Sequence, residues 1–592
     1  MYPANLRRNL VVRSIQLFFL NFMDLVAIAF IAAMAAIGVH GINGSSPGKA
    51  VNSIINLLRI SQLTLTWQML VLSVTSIIFL GLKSVMSFKI LSRLYLDLGK
   101  YSAELSEKLV SQFLLSPSIQ LLNFNSSQIF YAITSGVNAI GIGIIGSFIA
   151  VIADFSLLAI LVLAILVVDP IVAVLSLLIF IAIILVLNRL LNKSSKNYGE
   201  ISSELIIDSN RVILEAISTQ KELFLRGQSK FYVDKIKLIR LNLSKVLAAQ
   251  AMLPNKSKYV LEIAVSISIF CISVIQFTML DPVRAIASLS IFLAASSRLA
   301  PAALRLIQNY LNVAASIGVA KNTFLISEQL NPLKGAEEDD LIESPEIDFY
   351  PEIVISDLSF SHHGSADFQV SNINTVIHAD KFTALIGTSG SGKTTLLNII
   401  LGFYKPSQGH VFISGQSPSS AIRSWPGLIA YVPQDVYLIE GTIRENISLG
   451  FTELLNADEE LWTALRLAGL EEFLAKNSLG LDSLISENGG NFSGGQRQKF
   501  GIARALLTKP RFLILDESTS SLDGESEKEI YRTLLKLRGT ITVLVVAHRL
   551  TAIQDFDNII YLEDGRILIE GTFDFLKNNL PQFRNQLGFF EM

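Results

Sequence analysis

The chain has 592 residues, 51% of them hydrophobic and only 17% charged, with a mean hydropathy of +0.49 and a formal net charge of −2. A soluble protein carries about 25% charged residues, so the apolar surplus implies membrane spans, and the near-neutral charge offers nothing to attract a nucleic acid. A single cysteine, Cys271, excludes an intrachain disulfide.

Arg7, Arg8 and Arg13 precede an apolar run longer than the core of a cleaved signal peptide. This predicts a retained first span with a cytoplasmic amino terminus, because basic residues stay inside. Six spans are expected, at residues 15–39, 63–87, 140–168, 170–191, 259–280 and 285–313, each near or above the ~20 residues a membrane helix needs. In the loop after the first span, Val51, Ile54, Ile55 and Leu58 share one helical face, which suits a helix lying on the membrane surface. Polar, helix-favouring stretches at 89–135 and 192–258 carry Lys89, Arg93, Lys193, Lys196, Lys221, Arg226 and Lys230, so both are expected in the cytoplasm. The expected location is the cell membrane, crossed several times. Residues 1–330 form this helical membrane domain, 331–351 an acidic linker rich in Glu and Asp, and 352–592 a cytoplasmic α/β domain of short β-rich runs alternating with amphipathic helices.

Within the last domain, Gly387, Thr388, Ser389, Gly390, Ser391, Gly392, Lys393 and Thr394, with Thr395 behind them, form a glycine-rich loop between a strand and a helix. Such a loop curls backbone N–H groups around phosphates at a helix N-terminus. Lys393 would reach the β- and γ-phosphates of ATP, and the Thr394 hydroxyl would ligate Mg2+. Asp516 and Glu517 follow four apolar residues and emerge at a strand end beside those phosphates. Asp516 is expected to hold the magnesium, directly or through water, and Glu517 to polarise the attacking water.

Ser493, Gly494, Gly495 and Gln496, continued by Arg497 and Gln498, resemble the signature sequence of the ATP-binding-cassette (ABC) transporters. Gln434 in Tyr-Val-Pro-Gln, Asp523 in Ser-Ser-Leu-Asp and His548 in Val-Ala-His-Arg fit the same family in the expected order, and the resemblance covers nearly all of 352–580. It implies that His548 hydrogen-bonds the γ-phosphate and that Gln434 contacts the magnesium. It also implies that the signature of one chain closes over the phosphate loop of another, so a homodimer holds two composite sites. Two departures stand out. His362 lies where the family usually stacks an aromatic ring on adenine, and Asp380 where it usually has a glycine. The membrane part resembles the exporter-type domain; bends near 116–124 and 222–232 would then press on the cassettes, where Glu487 would touch them.

The substrate rests on fewer residues. Counted at ~1.5 Å per helical residue, Lys83, Lys258 and Arg298 lie roughly 30, 33 and 20 Å below the outer ends of their spans. Three cations on three helices suit a phosphate or pyrophosphate head. Alternatively they snorkel to the interface, and Lys258 pairs with Glu262 one turn on. These cations, the outer-loop helix and residues 125–128 together resemble the bacterial flippases of lipid-linked oligosaccharides, which implies a polyprenyl-pyrophosphate glycan as substrate. Export of another lipid, a glycolipid or an apolar drug is the other reading, and it would tolerate loss of the cations.

Overall fold

The computed structural model describes residues 4–43, 49–115, 124–168, 170–279, 282–330, 348–361, 369–475, 479–486, 489–490, 492–517, 524–547 and 549–590. The chain divides into two compact units, which part at Pro332 and Leu333. The expected linker apart from its last four positions, the expected 116–124 bend apart from Phe124, and Glu487 lie outside the described residues.

The first unit is helical. Its helices are α1 (Ala4–Asn43), α2 (Lys49–Leu57), α3 (Leu65–Leu115), α4 (Ser126–Tyr131), α5 (Ser147–Val168), α6 (Pro170–Ser218), α7 (Gln220–Leu225), α8 (Ser229–Met279) and α9 (Pro282–Gln329). Asn125 starts α4 with a capping box: its side chain accepts from the Gln128 N–H and the Gln128 side chain accepts from the Asn125 N–H. Two π-helical stretches, Ala132–Gly136 and Ala139–Gly146, carry the chain from α4 into α5. Pro170 stands at the first position of α6, where its missing N–H removes no helical bond.

Among the described residues, four stretches are long and apolar enough to cross a membrane: Arg8–Ile31, Leu65–Leu114, Ser126–Leu163 and Ser229–Thr278. They overlap the first, second, third and fifth expected spans. The fourth and sixth, 170–191 and 285–313, lie within α6 and α9. The unit is thus a multi-pass helical membrane domain. Its surface carries large apolar side chains such as Phe19, Ile77, Phe155 and Phe270, as lipid contact requires.

The helix after the first span forms as expected, but its apolar face meets protein. Val51, Ile54, Ile55 and Leu58 cluster with Phe30, Ala33 and Ile37 of α1 and Leu72 of α3. The amphipathic pattern is right, and the surface that satisfies it is the neighbouring helix pair.

The second unit is built on strands β1 (Ile353–Phe360), β2 (Val370–Ile377), β3 (Phe382–Gly387), β4 (Gln408–Ile413), β5 (Ile429–Val432), β6 (Gly441–Thr442), β7 (Leu484–Ile485), β8 (Phe512–Asp516), β9 (Thr542–Val546), β10 (Asn558–Glu563) and β11 (Arg566–Gly571). Among the described residues the main sheet has the order β11-β10-β3-β9-β8-β5, parallel from β10 to β5, with β2-β1-β4 as a separate antiparallel sheet. The central strands are mostly apolar because both faces are covered. Phe382, Ala384, Ile386, Leu513, Leu515, Val543 and Val545 pack into the core that includes Phe500 and Ala503 of the helix Gly494–Leu507. Their alternates Leu385, Ile514, Leu544 and Val546 join Leu396, Leu397 and Ile400 of α10 (Lys393–Ile400) on the other face.

Candidate nucleotide site

Parallel strands end on the same edge of a sheet, and here that edge collects the chemistry. Leu385 of β3 pairs with Val546 of β9, Val546 also pairs with Asp516 of β8, and Leu515 pairs with Val432 of β5. One register level therefore delivers the glycine-rich loop, Asp516, Glu517 and the Gln434 segment to adjoining positions.

Gly392 caps α10 with φ +98, a left-handed conformation that glycine adopts without strain. The first N–H groups of α10 then face the loop without helical partners. The buried Lys393 Nζ turns back onto its own loop, donating to the carbonyls of Gly387 and Thr388 at 3.0 Å each. Burial lowers the pKa of this amine, opposed first by the charge of Glu517 and then by that of Asp516. Ser391 Oγ is buried with no hydrogen-bond partner among the described residues, an orphan that an incoming phosphate oxygen would satisfy. Thr395 Oγ1 donates to Gln369 Oε1 at 3.2 Å.

Asp516 is 8% exposed, and burial, ahead of the charge of Glu517, raises its pKa while Tyr431 and Lys393 oppose the rise. Tyr431 on β5 donates its hydroxyl to Asp516 Oδ2 at 3.2 Å, and the Tyr431 phenol is itself pushed well above its ordinary range, mainly by burial. Gln434 Nε2 donates to Glu517 Oε2 at 2.8 Å. Glu517 has φ +48, a costly backbone for a non-glycine residue and one often found where a side chain must be aimed. Hard oxygen ligands, a buried carboxylate and a threonine hydroxyl, suit Mg2+, which normally takes one or two protein carboxylates and completes its shell with phosphates and water. Asp516, Thr394 and Gln434 would supply the protein side of that shell.

Ser493 caps the helix Gly494–Leu507 through a capping box, accepting from the Gln496 N–H at 3.2 Å while its own N–H reaches Gln496 Oε1 at 2.9 Å. The Ser493 hydroxyl proton and the N–H groups of Gly494 and Gly495 are the donors this helix start can offer. Among the described contacts, none joins that helix start to Lys393, Asp516 or Glu517.

His362, Asp523 and His548 lie outside the described residues. Just before His362, Phe360 is buried and stacks on Tyr404 at 5.1 Å, so its ring belongs to the core. Asp380 has φ +58 and its N–H donates to Thr542 Oγ1 at 2.7 Å; the left-handed turn accounts for the family's glycine, and aspartate is among the few residues that tolerate it.

Two contacts escaped the sequence reading. Tyr431 is part of the quoted Tyr-Val-Pro-Gln, yet only the strand pairing directs its hydroxyl to Asp516. Arg549, next to His548, pairs at 3.3 Å with the buried Glu527, and no local pattern signals it.

Residues 370–520 match the ABC transporter family. Over those residues the second unit is similar to an ABC-transporter cassette. Curated relatives include an uncharacterized ABC transporter ATP-binding protein of Sinorhizobium fredii, 39% identical over 41% of this chain and 40% of its own length. The ATP-dependent lipid A-core flippase of Salmonella typhimurium is 42% identical over 36% of this chain and 37% of its own length. The chain thus spans about two fifths of the length of these relatives. Across its whole length it is similar in fold to a bacterial Atm1-family ABC exporter with ATP bound, with a TM-score of 0.79, 19% identity and 99% of both chains covered. That likeness shows the fold, a helical membrane domain followed by an α/β domain.

Proposed function

We propose that the chain works as a homodimer in the cell membrane, with amino terminus and cassettes in the cytoplasm and six spans per chain, and hydrolyses ATP to flip a lipid-linked oligosaccharide. The gathering of Lys393, Asp516, Glu517 and Gln434 on one sheet edge carries the ATPase reading. The glycine-rich loop and the α10 N-terminus cradle the phosphates, and Lys393 leaves its own carbonyls for the β- and γ-oxygens. Asp516, Thr394 and Gln434 would hold magnesium, which when bound would offset the charge that develops on those oxygens. Glu517 accepts a proton from the attacking water as that water's oxygen bonds to the γ-phosphorus and the bond from this phosphorus to the β–γ bridging oxygen breaks, releasing ADP and phosphate; Gln434 must loosen its hold on the carboxylate first. His362 would stack on adenine, and His548 and Asp523 would close the site. Ser493, Gly494, Gly495 and Gln496 of the second chain would bind the γ-phosphate.

The cations of Lys83, Lys258 and Arg298 support a phosphate or pyrophosphate head, and the lipid A-core flippase among the relatives supports a lipid as the substrate. A second reading, another lipid, a glycolipid or an apolar drug, draws on the pairing of those cations. Lys83 Nζ lies 2.5 Å from Asp24 Oδ2 on α1, and Lys258 Nζ lies 3.8 Å from Glu262 Oε1. Both charges are thus answered within the chain, and the side chain of Arg298 lies outside the described residues.

The test is reconstitution in proteoliposomes with a fluorescent polyprenyl-pyrophosphate-linked glycan. Glu517→Gln should bind ATP but lower hydrolysis and flipping at least about 100-fold; wild-type turnover in this variant overturns the assigned base. Replacing Lys83, Lys258 and Arg298 together with Ala should lower the glycolipid flipped per ATP hydrolysed. If that ratio is unchanged, the three cations do not bind the head group and the flippase reading loses its main physical support.

A further inference from the structure

We infer that Tyr431 is a positioning residue for the magnesium ligand Asp516, fixing which carboxylate oxygen faces the metal. The inference rests on the reading of Asp516 as that ligand. It begins with strand register: Tyr431 pairs with Ile514 across the parallel β5–β8 ladder. Ile514 and Asp516 are two residues apart on β8 and so share a face, which puts Tyr431 diagonally across from Asp516. A diagonal neighbour in a sheet is within reach of an aromatic side chain, and the 3.2 Å bond from the hydroxyl to Oδ2 realises that reach.

The ring cannot swing freely. It packs against the core cluster that contains Ile514, Leu544 and Val546, so the hydroxyl is presented from a rigid support. A carboxylate on a strand end rotates about its last torsion unless something holds it, and a ligand's outer hydrogen-bond partner performs that task in metal sites. With Oδ2 engaged by the phenol, Oδ1 is the oxygen left for the metal or its water. Three residues on, Gln434 grips Glu517 at 2.8 Å. One short segment of chain therefore orients both acids.

Tyr431→Phe keeps the ring and removes only the hydroxyl, so the fold should be retained. The measurement uses the full chain in detergent and the affinity for AMP-PNP, a non-hydrolysable ATP analogue, as Mg2+ is titrated. In Tyr431→Phe the half-saturating Mg2+ concentration should rise about tenfold, with metal-free AMP-PNP affinity and melting temperature held near those of the parent. In an Asp516→Asn background the same substitution should add nothing, since the two act through one contact. Equal Mg2+ dependence in Tyr431→Phe and the parent overturns the positioning role, as does a full additive effect in the Asp516→Asn background. If Asp516→Asn itself leaves the Mg2+ dependence unchanged, the assignment of Asp516 fails and the inference falls with it. A shift in metal-free affinity equal to the shift with metal would mark Tyr431 as a general structural residue and also overturn the proposal.

Discussion

At Asp516, function and stability pull apart. Burial, then the charge of Glu517, raises the carboxyl pKa above its ordinary value, while Tyr431 and Lys393 only partly offset the rise. The folded chain therefore holds this proton to higher pH than the unfolded chain. Between the two pKa values the native state binds more protons, so stability falls as pH rises, and above the folded value the whole penalty is present. Asp516→Asn removes the penalty. Thermal unfolding of the nucleotide-free chain should give a higher melting temperature for this variant than for the parent at pH 8. The gain should shrink as pH falls toward the carboxylate range; a variant that melts lower at pH 8 would show that the charge is fully compensated. The same logic of pairing governs Lys83. Its depth could be counted from the sequence, but its partner Asp24, 59 residues earlier, is set by the packing of α1 on α3.

At the scale of elements, α6 and α9 approach until their backbones meet. A Cβ on Gly318 would lie 2.3 Å from the Lys196 carbonyl and 2.7 Å from the Glu200 N–H nitrogen. Backbone cannot yield as a side chain would, so Gly318→Ala should destabilise the membrane domain by about 1–3 kcal/mol. Gly99→Ala on α3, with nothing within 4 Å of the added carbon, serves as the control. Equal melting temperatures for the two variants in detergent would mean that α6 and α9 separate readily. Polar groups tie other helices. Asn21 of α1 donates to Ser156 of α5 at 2.7 Å, and Asp154 of α5 accepts from Arg305 at 3.0 Å and Asn309 at 3.1 Å on α9. In a membrane such bonds replace the water the groups would otherwise need. Hydropathy marks the spans but is blind to these pairings. For the same reason it set the apolar face of α2 on lipid when α1 and α3 were available.

At the scale of the molecule, one chain carries one phosphate loop and one signature helix. The composite-site proposal therefore has a direct test. With the exposed Cys271 first replaced, cysteines at Ser389 and Gly494 in a Glu517→Gln background with ATP and Mg2+ should form disulfides between chains. Denaturing electrophoresis should show a dimer band and no internally bridged monomer. Bridged monomer as the main product would place the signature over its own phosphate loop.

The sequence alone determined the division into an apolar helical part and an α/β cassette, because hydrophobic run length and strand–loop–helix punctuation are local properties. It also determined Lys393, Asp516, Glu517 and Ser493 as candidate residues, since phosphate-binding loops and helix starts need particular residue types at fixed spacing. Only the tertiary structure decided what each of these side chains touches. Tyr431 on Asp516, Gln434 on Glu517 and Arg549 on Glu527 are separated by 85, 83 and 22 residues. The physical reason is that parallel strands order themselves by crossover connections through the sheet, so neighbours across its edge are distant along the chain and leave no local pattern behind.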